Sequence, residues 1–105
     1  MICDDLFFKA KVKTTAKNLE KEISFISDKA QILENINKST KIIIDLNYSK
    51  LDIIGLLKEI KETSDIEIIG YLSHIQIELK KEAEKYCTAV IPRSKFSEKL
   101  SEILA

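Results

Sequence analysis

The sequence predicts an α/β domain, a buried parallel sheet whose strands alternate with helices on both of its faces. Three observations predict it. Short β-branched runs at 22–27 (EISFIS), 41–46 (KIIIDL) and 66–72 (IEIIGYL) are separated by longer stretches of helical periodicity. The 41–46 run is nearly continuous isoleucine, the pattern of a strand covered on both faces, as in parallel sheets. The two element types alternate strictly, which implies right-handed crossovers.

The elements follow in order. Residues 1–3 supply a stunted first strand, because Asp4 and Asp5 come directly after Ile2 and Cys3. Phe8, Val12, Ala16 and Leu19 recur at spacings of four, four and three and share one helix face. The 22–27 run is the second strand. Asp28 with Gln31 forms a capping-box pattern that opens a helix burying Ile32, Leu33 and Ile36. After the third strand at 41–46, Ile53, Ile54, Leu56, Leu57 and Ile60 make another apolar stripe. The fourth strand, 66–72, is followed by a second capping box, Ser73 with Gln76, ahead of Ile75, Leu79, Ala83 and Tyr86. A short fifth strand at 88–91 (TAVI) ends at Pro92, a turn former able to take the cis form. A last helix after Ser94 buries Phe96, Leu100, Ile103 and Leu104. One domain, 1–105, is expected, with no linker, repeat or low-complexity segment.

Composition narrows the class of function. A chain of 105 residues that is 45% apolar can bury a core without disulfides or metals. Its 17 basic and 17 acidic residues balance and form no basic stripe, so nucleic acid is not an expected partner. Cys3 and Cys87 form neither a CxxC pair nor a metal cluster and read as small buried hydrophobes in a reducing compartment. No stretch reaches the roughly 18 apolar residues of a membrane span and no signal segment opens the chain, so a cytoplasmic protein without a membrane partner is expected. There is no Gly-rich phosphate loop, no Ser/His/Asp set and a single histidine, so an enzyme is not expected.

Ligands of open parallel sheets gather outside the carboxyl ends of the strands. Those ends carry Asp4 and Asp5, then Asp45 and Asn47, then Ser73 and His74, and last Pro92 and Arg93. Three carboxylates converging on one rim can hold a hard cation such as Mg²⁺, and a hydroxyl beside them can bind a phosphoryl group. Plainer roles compete. Asp4 or Asp5 can cap the first helix, Ser73 can cap the fourth, and the lone His74 can be a surface residue. Asp45 has no such plain role, because a carboxylate closing an Ile-Ile-Ile strand is costly to desolvate.

Across essentially its whole length the chain resembles the receiver domain of two-component response regulators, in an atypical, degenerate form. The best local match is the segment from Asp45 to Lys61, DLNYSKLDIIGLLKEIK, which resembles the acceptor segment of chemotaxis-type receivers: Asp-x-Asn, an Asp seven residues on, then Leu-Leu-Lys-x-Ile. The resemblance implies a flavodoxin-like, doubly wound, five-stranded parallel sheet of order 2-1-3-4-5 with a very short first strand. It makes Asp45 the phosphoacceptor, Asp4 and Asp5 the acidic pair that holds Mg²⁺ with Asp45, and Asn47 a metal ligand through its backbone carbonyl. Ser73 becomes the hydroxyl that bonds the phosphoryl group, and Pro92 matches the proline after the fifth strand. The implied chemistry is phosphoryl transfer from a phosphohistidine, with a histidine kinase or phosphotransfer protein as partner.

The departures bear on that chemistry. Ile91 stands where the family has its lysine, Thr88 replaces the switch aromatic, Ser49 the proline after the acceptor, and Ile53 a glycine. Ser73 precedes Ile91 by 18 residues, about one helical turn short of the usual spacing. Loss of the lysine and the aromatic together points to a stand-alone, receiver-like signalling protein with degenerate phosphotransfer, acting by protein–protein interaction and able to dimerise through its last helix and strand. Two alternatives stand beside it. One is an interaction module with no phosphorylation. The other is a domain like the anti-sigma-factor antagonists, whose serine would fall at Ile53 or Ile54.

Overall fold

The isoleucines at 42–44 are all buried and form the centre of the sheet, as their continuous run requires. In the computed structural model, which describes residues 1–73 and 76–105, they lie on β1 (Lys41–Asp45). β1 pairs in parallel with β2 (Glu67–Leu72), and β2 with β3 (Ala89–Pro92), in the order β1-β2-β3. Alternate side chains feed two cores. Ile42, Ile44, Leu46, Ile68 and Leu72 meet α2 (Lys29–Asn35), α3 (Ile53–Thr63) and α4 (Ile77–Glu84) on one face. Ile43, Ile69 and Tyr71 meet α1 (Leu6–Asn18), α5 (Arg93–Glu98) and α6 (Leu100–Leu104) on the other. Helices therefore cover both faces of a parallel sheet, the expected doubly wound arrangement.

Two of the five expected strands are not built as strands among the described residues. Ile2 makes one parallel bridge to Ile44: its N–H donates to the Ile43 carbonyl and its carbonyl accepts from Asp45 N–H, both at 2.9 Å. With Asp4 and the helix cap Asp5 following Cys3 at once, the chain turns away before a ladder can form. Residues 22–27 form no ladder either. Their contact is with Met1, whose ammonium donates to the Ser24 carbonyl (2.7 Å) and whose carbonyl accepts from Ile26 N–H (3.1 Å). A one-residue partner supports one pair of bonds and no more.

The starts of α1, α2 and α3 follow the capping chemistry, whereas α4, α5 and α6 begin without a side-chain cap bond. Asp5, Asp28 and Asp52 cap α1, α2 and α3, each carboxylate accepting a backbone N–H two or three residues on. The expected capping box of Ser73 and Gln76 does not form. α4 begins at Ile77, and the Gln76 amide oxygen accepts instead from Asn47 Nδ2 at 2.6 Å. His74 and Ile75 lie outside the described residues. The last helix is split at Lys99 into α5 and α6, and α5 starts at Arg93, ahead of the expected Ser94. Among the described residues no peptide bond is cis, so Pro92 enters α5 in the trans form.

Gly70 on β2 sits against Leu46: a Cβ there would meet three Leu46 side-chain carbons at 3.0–3.1 Å. In a close-packed core that overlap has little room to relax. Gly70→Ala is expected to cost about 1–3 kcal/mol by overpacking. Most of that cost should disappear when Leu46 is trimmed to Ala, a coupling measurable by urea unfolding in a double-mutant cycle.

Candidate functional site

The carboxyl end of β1 fixes Asp45, and the sheet register fixes what faces it. Asp45 pairs with Tyr71 on β2, and Tyr71 with Ile91 on β3. Asp45 is half-buried, and its Oδ1 accepts the Asn47 N–H at 2.9 Å. Burial pushes its carboxyl above the usual range, the Asn47 N–H and the Arg93 charge oppose this, and the neighbouring Asp5 and Asp4 add to it.

Asp5 is brought to the same rim by its cap position. Its Oδ1 accepts the Phe8 N–H at 3.0 Å, and its Oδ2 accepts from Arg93 Nη2 at 2.5 Å. The Phe8 N–H first, then the Arg93 hydrogen bond, hold the Asp5 carboxyl below its usual range. Arg93 is placed by Pro92 at the first position of α5, and its guanidinium lies over the Phe8 ring, 4.7 Å from the centroid. Phe8 is itself packed on Tyr71 and Phe96. Asp4 turns outward to Lys50 Nζ (3.2 Å), where both groups are more than half exposed and the pair contributes little.

Asn47 and Ser73 are joined by side chain and backbone. Asn47 Oδ1 accepts the Ser73 N–H at 2.7 Å while its Nδ2 reaches Gln76, tying the loop after β1 to the loop after β2. Ser73 is exposed and lies two residues beyond Tyr71, which is the residue that faces Asp45. Tyr71 is fully buried, stacked on Phe96 at 4.6 Å, and among the described residues its hydroxyl has no hydrogen-bond partner. Burial keeps that phenol neutral, its pKa raised far above normal.

Of these rim residues, Arg93 stands at a strand end that the sequence already marks, whereas Tyr71 was missed as a neighbour of Asp45. Tyr71 comes beside Asp45 through the pairing of β1 with β2, which the two-residue period of a single strand does not give.

The carboxylates do not fit Mg²⁺ as they are arranged. Among the described residues no three acidic, histidine or cysteine side chains form a metal-holding group. Asp4 is drawn to Lys50, and both oxygens of Asp5 are engaged. The contacts of Asn47 here run through its side chain and N–H.

No protein-family model matches the chain, and no curated protein matches its sequence. Solved structures match in fold. A CheY-like response regulator receiver domain from Methanospirillum hungatei superposes with a TM-score of 0.77 at 15% identity, covering 98% of this chain and 89% of that one. The phosphorylated cyanobacterial phytochrome response regulator RcpA gives 0.72 at 15%, covering 98% and 85%. NtrX from Brucella abortus gives 0.73 at 20%, with 98% of this chain on 26% of that one. The chain has the fold of response-regulator receiver domains.

Asp45 and Asp5 titrate with opposite consequences. The raised pKa of Asp45 means that its ionisation weakens the fold as pH rises through the folded-state value. Asp45→Asn should raise the melting temperature at pH 7 by about 2–5 °C, and the gap should close on acidification. The depressed pKa of Asp5 stabilises above the unfolded-state value, so Asp5→Asn should lower the melting temperature at pH 7, a deficit that vanishes as pH falls through the folded value. Thermal melts across pH check both. Tyr71→Phe removes the unpartnered hydroxyl and should leave stability unchanged or raise it by about 1–2 kcal/mol, read by urea unfolding.

Proposed function

We propose that this domain is a receiver-like signalling module that works by protein–protein contact, with Asp45 as its acceptor carboxylate. One observation carries the reading. Asp4 and Asp5 are ion-paired, whereas Asp45 bonds only one oxygen, to a backbone N–H, and its Oδ2 has no partner among the described residues. A half-buried carboxylate with a free oxygen, at the carboxyl end of a sheet strand, is placed to act as a nucleophile.

In the transfer, a carboxylate oxygen of Asp45 attacks phosphorus in line with the P–N bond of a phosphohistidine. That bond breaks toward the imidazole, leaving an acyl phosphate. Two anions must approach, so the step depends on positive charge nearby. In register with the site, Ile91 offers apolar surface in place of an ammonium, which supports slow, degenerate transfer. The Ser73 hydroxyl, two residues past Tyr71, would reach the phosphoryl group only from the loop beyond β2.

The partner surface is supported by exposed apolar residues. Leu6 and Phe7, next to the Asp5 cap, are 77% and 90% exposed, and Ile77 on α4 is 64% exposed. A groove of about 700 Å³ between α4, β3 and α5 is lined by Leu72, Ile77, Val90 and Ile91. A histidine kinase or phosphotransfer protein is the partner this reading implies, and a second copy joined through the last helix and strand is compatible with it. The contacts of Met1 with Ser24 and Ile26, on the side of Ile2 away from β1, read as the rudiment of a five-stranded order 2-1-3-4-5.

A non-phosphorylated interaction module is the second reading, favoured by Ile91 at the site. Incubation with a small phosphodonor, followed by intact-mass measurement, separates the two. The expected result is a single phosphoryl adduct that is absent in Asp45→Ala. A folded protein with no mass gain leaves the interaction module standing.

A further inference from the structure

The rim carries three carboxylates, Asp4, Asp5 and Asp45, and two cations from this chain already sit among them. Lys50 is a loose partner, more than half exposed, on a flexible stem. Arg93 is held from several sides. Its guanidinium bonds Asp5 Oδ2, rests on the Phe8 ring, and springs from a backbone position set by Pro92 at the end of β3. Phe8 in turn is fixed by Tyr71 and Phe96, so the ring beneath the guanidinium is part of the core. Asp5 has no spare oxygen, since its other one is taken by the Phe8 N–H.

We propose that Arg93 is the resident cation of this rim, a guanidinium that occupies Asp5 where a divalent ion would have to bind and leaves the site charge-balanced without metal. An incoming Mg²⁺ would have to strip water, which it sheds reluctantly, and displace a tethered competitor. A tethered cation acts at a high effective concentration, so free metal competes poorly against it. The two-residue displacement of the cation, from position 91 on the strand to Arg93 on the helix, changes what it can reach. At 91 a side chain lies in register with Tyr71 and Asp45, while at 93 it meets Asp5 first. The choice of Mg²⁺ as probe rests on the receiver-like reading of the rim; the pairing of Arg93 with Asp5 does not.

Magnesium titration of the full chain, followed by calorimetry and by amide shifts of residues 4–6 and 45–47, tests the proposal. The wild type should bind weakly, and Arg93→Gln should bind roughly tenfold more tightly, the scale of one charge-assisted hydrogen bond removed from competition. Arg93→Lys, which keeps the charge but loses the fork, should fall between them. Equal affinity in wild type and Arg93→Gln, whether tight or weak, overturns the proposal. Should Arg93→Gln fail to fold, the wild type decides: side-chain nitrogen signals of Arg93 that move only together with the amides of 4–6 and 45–47 support the clamp, and amides that titrate with Mg²⁺ while Arg93 stays fixed overturn it. Adduct formation at Asp45 is a separate readout. A phosphoryl adduct with no gain in metal affinity in Arg93→Gln sinks the clamp and keeps the receiver-like reading, and the reverse outcome keeps the clamp alone.

Discussion

The parallel ladder from Lys41–Asp45 to Glu67–Leu72 and on to Ala89–Pro92 sets nearly everything else in this molecule. In a strand the side-chain period is two, so a slip of one residue would carry Ile43, Ile69 and Tyr71 from one core to the other. The isoleucines prevent such a slip by being buried on both faces, with Ile42 and Ile44 on one side and Ile43 on the other. With the register fixed, the residue after the last isoleucine has no freedom left. It emerges at the carboxyl end of the strand, beside Tyr71, and it is an aspartate.

Placing a carboxylate there creates a problem of charge. Asp45 is partly desolvated, with Asp5 and Asp4 near enough to raise its pKa further. The chain answers with two cations, Lys50 in the loop after β1 and Arg93 at the start of α5. The two answers are unequal. A half-exposed lysine is screened and mobile, whereas the arginine is backed by an aromatic ring anchored in the core. The fold thus spends its better-positioned cation on Asp5, the helix cap, and among the described residues Asp45 keeps an oxygen free.

The sequence made much of this readable, and the reasons for the gaps are physical. β1, α1 and α3 were plain because each carries a long apolar pattern of a single period, and Asp5, Asp28 and Asp52 announce helix starts by their chemistry. The run at 22–27 has the same β-branched pattern, yet a strand is a property of pairs, and its neighbour offers only Met1. The capping box at Ser73 and Gln76 was lost to a tertiary competitor, since Asn47 bonds both the Ser73 N–H and the Gln76 side chain across 26 and 29 residues. Asp45 was visible as a charge at the end of an apolar run. Its actual neighbours, Tyr71 and Arg93, depend on strand register, which no local pattern states.

Tyr71 ties the core to the rim. A polar oxygen buried with no partner is unfavourable, and the position opposite Asp45 is where a small hydroxyl residue could have served an anionic group. A large ring stands there instead, stacked on Phe96 and tilted against Phe8, and through Phe8 it supports the guanidinium of Arg93. The aromatic trio therefore has two consequences that cannot be separated. It fills the space between the sheet and α5 with apolar surface, and it holds the positive charge of the rim against Asp5. A substitution that opened room beside Asp45 for a phosphoryl group would also loosen the ring on which Arg93 rests, so packing on the α1 and α5 face and charge balance at the rim are set by the same side chains.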